Sequence, residues 1–86
     1  MREIYSLYDQ IIEITKDYLG PAAKRFIDRQ ITSHLDKAPE DLKPSDMPKL
    51  IIWIEAVISL LTNDEKIIAE YIDNLKSLSQ DAKQNR

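Results

Sequence analysis

Leu50-Ile51-Ile52-Trp53-Ile54-Glu55-Ala56-Val57-Ile58-Ser59-Leu60-Leu61 is the stretch whose reading decides the fold. Only Glu55 and Ser59 interrupt its apolar run. Twelve residues are too many for an ordinary strand, and a helix is expected. They are too few to cross a bilayer, which takes roughly 20. A helix apolar almost all round is expected to be buried almost all round. In so short a chain that makes it a central helix, or one partly covered by a second copy. Glu55 and Ser59, one turn apart, are expected to mark a thin exposed strip; a buried, hydrogen-bonded Glu55 is the alternative. Trp53, the sole tryptophan, is expected to fill the core. Its alternative role is an interface anchor, since tryptophan is enriched in binding hot spots.

Outward from this run the chain punctuates itself. Ser45 or Asp46 can cap the helix, and Pro48 is tolerated in its first turn, so the helix spans about 46–61. Residues 37–45 carry two prolines and several charges and read as a loop, with an extra helical turn near 39–42 and Leu42 reaching the core. On the other side, Thr62-Asn63-Asp64-Glu65 reads as a capping box with Thr62 as the cap. It opens a helix over 63–78 with Ile67, Ile68, Tyr71, Ile72, Leu75 and Leu78 inward. Residues 79–86 are polar and read as a frayed tail, leaving 1–78 as one helical domain.

Near the N-terminus, Ile4, Leu7, Tyr8, Ile11, Ile12, Ile14 and Leu19 recur at helical period over 3–19. Gly20-Pro21 turns the corner: glycine takes the left-handed cap geometry and proline opens the next helix. That helix, 21–36, buries Ala22, Ala23, Phe26, Ile27, Ile31 and Leu35. It turns Lys24, Arg25, Asp28, Arg29, Thr32 and Ser33 to water. The fold class is therefore all-α, with four helices at about 3–19, 21–36, 46–61 and 63–78. Short connections allow a compact bundle or an orthogonal array.

Composition removes most chemistry. There is no cysteine, one histidine and one glycine. Thiol catalysis, disulfides, multi-ligand zinc sites and glycine-rich phosphate loops are not expected, so no enzyme activity, metal or cofactor is assigned. Ser33, His34 and Asp36 lie too close together on one helix to face one another as a triad. His34 reads as a boundary residue at the negative helix end. The acidic pairs Asp9/Glu13, Glu40/Asp41 and Asp64/Glu65 read as solvated faces and cap charges. A net charge of −3 argues against nucleic acid and anionic membrane as partners. No apolar leader opens the sequence, and a soluble, cytoplasmic protein is expected.

Lys24, Arg25 and Arg29 form a small basic face on the second helix. It is a solvated face with Arg25 and Arg29 near Asp28, or a surface for an acidic partner.

At the corner between the first two helices, Tyr18-Leu19-Gly20-Pro21-Ala22-Ala23, followed by Phe26-Ile27 and Arg29, resembles short helical modules at the ends of bacterial serine/threonine kinases and related signalling proteins. The likeness covers residues 15–30. It implies a non-catalytic docking or regulatory module, with Arg29 as a candidate contact. The expected function is thus a helical protein-interaction module: a small signalling adaptor or regulator that binds a protein partner and self-associates through helix 46–61. The partner-binding candidates are Lys24, Arg25, Arg29 and Trp53. The alternatives are a dimeric DNA-binding regulator, suggested by two helices around a tight turn, and a membrane-contacting bundle.

Overall fold

A computed structural model describes residues 6–84, with side chains as far as Gln80. The described residues form four α-helices and three single-turn 3-10 helices, with no strand among them. Helix α1 is Leu7–Leu19, α2 is Ala23–His34, α3 is Met47–Leu61 and α4 is Glu65–Gln84. The 3-10 turns are Gly20–Ala22, Pro39–Asp41 and Pro44–Asp46. The all-α class is as the periodicity predicts.

The ends of the helices differ from expectation for local reasons. Ser6 caps α1, its hydroxyl accepting from the Asp9 N–H at 3.1 Å, so α1 starts at Leu7; expected positions 3–5, Ile4 included, lie outside the described residues. Gly20 ends α1 at φ 59°, ψ −135°, a mirror-extended geometry that is glycine's own and is not the left-handed helical cap. Pro21 opens a 3-10 turn, and α2 proper begins only at Ala23. Helix α2 stops at His34, two residues short of the expected 36, because Asp36 takes φ 56° and turns the chain. The extra turn near 39–42 is present as Pro39–Asp41, and a second follows it. Asp46 does not cap α3 with its side chain. Its carboxylate accepts instead from the Lys43 N–H at 2.9 Å and the Lys37 ammonium at 2.7 Å. That closes the loop and holds the Asp46 carboxyl below its usual value.

Helix α4 is capped by Asp64, whose carboxylate accepts from the Ile67 N–H at 3.2 Å. Thr62, the expected cap, accepts the Asp64 N–H at 3.1 Å and so braces the true cap. Helix α4 runs on to Gln84, beyond the expected 78. Ser79, expected in a frayed tail, is buried, and that packing carries the helix onward. Residues 85–86 lie outside the described residues.

Each α-helix packs on two others: α1 on α2 and α4, α3 on α2 and α4. Short connections at 20–22 and 62–64 join α1 to α2 and α3 to α4, and the four contacts close a ring. The core comprises Ile11 and Ile12 of α1, Ile27 and Ile31 of α2, Leu50, Ile51, Ile54 and Ile58 of α3, and Tyr71, Ile72 and Leu75 of α4. Met47, the first residue of α3, belongs to it, and Leu42 packs against it from the loop.

Polar ties fasten α1 to its neighbours. The Tyr8 hydroxyl donates to Asp28 of α2. Thr15 is fully buried and donates its proton to the Ile11 carbonyl at 2.8 Å. The Tyr71 hydroxyl, 2.7 Å away, must therefore donate to Thr15. Burial pushes the Tyr71 hydroxyl up to about 12. Tyr18 lies against the Tyr71 ring, with centroids 4.8 Å apart, and accepts from the Asn74 amide at 3.0 Å.

Candidate functional site

The expectation that α3 is buried nearly all round is wrong. Met47, Leu50, Ile51, Ile54 and Ile58 face inward. On the outer side Ile52 is 65% exposed, Trp53 38% and Leu60 85%; Leu61, 63% exposed at the end of α3, lies half a turn round the helix from Ile52. The physical reason is geometric: three neighbouring helices would be needed to cover α3, and the ring supplies two. Glu55 and Ser59 do lie on the exposed side, with the Ser59 hydroxyl turned back to the Glu55 carbonyl at 2.8 Å. They form the polar margin of an outward apolar face, so the wet strip is far broader than these two residues. Ile67, expected inward, is 43% exposed at the start of α4.

Trp53 is neither core nor free. Its ring stacks on His34 of α2, with centroids 3.8 Å apart and planes 4° from parallel. His34 is half-buried, as a boundary residue should be. The stack fixes one face of the indole and leaves the other outward. Rigid, half-exposed aromatic rings lose little entropy on docking, which suits an anchor. Beside the face, Tyr18, Leu19, Ile58, Leu61, Ile67 and Tyr71 line a small apolar pit at the α3–α4 corner.

The basic face of α2 also exists. Pro21, Ala22, Lys24, Arg25, Asp28, Arg29 and Thr32 line a shallow open depression. Ala22, expected inside, is exposed here, because it belongs to the 3-10 turn and not to α2. The charges are distributed otherwise than expected: Asp28 binds Lys24 at 2.9 Å and the Tyr8 hydroxyl, and leaves Arg25 and Arg29 without an ion pair among the described residues. Asp28 accordingly raises the Lys24 ammonium, and Tyr8 is raised by burial and then by Asp28. Lys24 is paired within α2, and the two arginines are not, among the described residues. The structure does not bring Trp53 to this face; the residues expected to bind a partner fall on two separate surfaces.

Among the described residues, no group of three or more His, Asp and Glu side chains is placed to hold a metal ion. No helix among them is long and apolar enough to cross a membrane. The α3 face was legible only as an excess of apolar positions; His34, the last residue of α2, gave no signal that it would support Trp53. Comparison with known proteins finds no matching family model, no matching curated protein and no matching solved structure.

Proposed function

We propose that this protein is a non-catalytic helical interaction module, a small adaptor or regulator, that docks a protein partner on the outer face of α3. The observation that carries the reading is the exposure of Ile52, Trp53 and Leu60 on one side of α3. Small soluble domains keep large apolar side chains scattered, and a patch of them is a place where something else sits. The α2 arginines offer a polar contact beside the main surface, which agrees with the likeness of residues 15–30 to kinase-associated docking modules. Cytoplasmic signalling is the setting that this likeness suggests.

The test is an affinity capture from the native host, quantified by mass spectrometry, with three baits: wild type, Ile52→Asp/Leu60→Asp and Arg25→Glu/Arg29→Glu. All four positions are exposed, and circular dichroism confirms that the variants fold. Stoichiometric capture, of another protein or of untagged copies, is expected for wild type and should fall at least tenfold for the α3 variant. Equal capture by wild type and the α3 variant refutes the assignment of the surface. Loss in the α2 variant alone moves the docking site to the basic face.

A further inference from the structure

We infer that the pit where α1 and α3 end and α4 begins binds a small organic cation: a single apolar ring with a protonated amine on a short arm. The inference is independent of the docking reading, since Ile52, Trp53 and Leu60 do not line the pit. Shape, charge and the aromatic walls carry it together.

Tyr18 and Leu19 close α1, Leu61 and its cap Thr62 close α3, and Ile67 and Tyr71 come from the first two turns of α4; all six line the pit. Its volume is about 270 Å³. That lies just under the roughly 300–1,000 Å³ of drug-sized sites. It exceeds the roughly 150 Å³ of an apolar cavity that takes benzene. One ring with a short arm suits that room. Leu61 and Ile67 are 63% and 43% exposed, and as walls of the pit they give a guest apolar surface to cover.

The charge of the corner selects a cation. A helix C-terminus carries partial negative charge, and those of α1 and α3 meet here. The last turn of α3 holds no basic residue to offset it. That of α1 holds Lys16, which pairs with Glu13 at 3.2 Å. The positive end of α4 is already answered by the Asp64 cap and by Glu65 in its first turn. Two further carboxylates reach Tyr18: burial first, then Glu70 and Asp17, raise its hydroxyl. Both acids are exposed, and neither makes an ion pair among the described residues. Lys66, one turn before Glu70, does not line the pit.

The walls add to this preference. The Tyr18 and Tyr71 rings stand with centroids 4.8 Å apart, tilted by 41°. The face of such a ring attracts a cation within roughly 6 Å of its centroid. An anion meets the same field with the wrong sign, and a neutral guest gains apolar contact alone.

The test is an NMR titration of the full 86-residue chain, isotopically labelled, with three probes that share a ring and a two-carbon arm: phenethylammonium, 2-phenylethanol and 3-phenylpropionate. Phenethylammonium should give saturable shifts centred on the amides of Leu61, Thr62, Ile67 and Tyr71, with a Kd on the order of 1 mM. The alcohol should bind roughly fivefold more weakly, and the carboxylate should give no saturable shift. Glu70→Gln should weaken phenethylammonium about threefold and leave the alcohol unchanged, a split that a merely structural role would not produce. Ile67→Trp, also at an exposed position, should fill the pit and remove binding of both, with circular dichroism checking that each variant folds. Equal binding of ammonium and alcohol, or a preference for the carboxylate, would overturn the cation assignment. Binding that survives Ile67→Trp, or no saturable shift with any probe up to about 10 mM, would overturn the site. Tighter binding of N-acetyl-lysine methylamide than of phenethylammonium would overturn the free-amine assignment and put a lysine side chain of another protein in the pit.

Discussion

Helices α1 and α3 are held in the fold by different means. Helix α1 is fastened by directed polar contacts: Tyr8 to Asp28, Thr15 to Tyr71 and Tyr18 to Asn74. Helix α3 has no side-chain hydrogen bond to another α-helix among the described residues; the Ser59 bond stays within it. It is gripped by apolar packing on one side and by the Trp53–His34 stack at its edge. Directed bonds fix register and use up the side chains that make them. Apolar contact is non-directional, and a helix held that way can carry the same residue types on its other side. The difference separates side chains that the fold engages from apolar side chains that it leaves on the surface.

The largest effect that sharpens this contrast lies within α3 itself. Ile54→Ala, at a fully buried position, should cost about 3–4 kcal/mol in urea unfolding. Ile52→Ala, two residues away but 65% exposed, should cost under about 0.5 kcal/mol measured on the monomer. Similar costs for the two would erase the distinction between the inner and outer sides of α3.

The next effect probes the polar fastening of α1. Thr15→Val keeps the shape but leaves the buried Tyr71 hydroxyl without its acceptor, and should cost about 2 kcal/mol. Tyr71→Phe removes the donor while Thr15 keeps the Ile11 carbonyl, and should cost only about 1 kcal/mol. Because the Tyr71 value is raised from 10.0 to about 12 in the fold, its contribution is intact below pH 10 and is lost as pH rises from there through about 12. The alkaline loss of stability should therefore shrink in Tyr71→Phe. Thermal melts at pH 8 and pH 11 compare the two; an unchanged alkaline slope would contradict the assigned environment.

The smallest effect lies in the α2–α3 loop. Asp46→Asn weakens the ties to Lys37 and Lys43 and should cost about 1 kcal/mol at neutral pH. The folded Asp46 carboxyl is lowered from 3.8. Its stabilisation is present above about pH 4 and is lost as pH falls through the lowered value. Wild type and variant should converge in strong acid; a gap that persisted there would rule out the Lys37 pairing as the cause.

Much of this was legible in the chain. Helices α1, α2 and α4 alternate apolar and polar positions, and contrast is what fixes a face. Helix α3 has almost none, so its sequence shows that it is helical but not which side is wet. That choice falls to the number of neighbours, a tertiary property. The Thr62–Glu65 segment offered two competent caps two residues apart, and the sequence could not rank them. Thr15 did leave a trace: it stands four residues after Ile11, on the buried stripe, where a hydroxyl needs a partner. That partner, Tyr71, lies 56 positions away and only the fold reveals it. The basic face was found at the right residues, but the choice of Lys24 over the arginines by Asp28 depends on side-chain reach across one helical turn.

The central claim, that the outer face of α3 is where this protein meets another, is tested most directly by photo-cross-linking in cells. A benzophenone side chain is placed at Leu60 in one strain and at Arg29 in another, and covalent adducts are read after irradiation. The account predicts a discrete protein adduct from Leu60, at twice the chain mass if the partner is a second copy, and a weaker one or none from Arg29. A discrete adduct from Arg29 with none from Leu60 would contradict it and place the interface on α2.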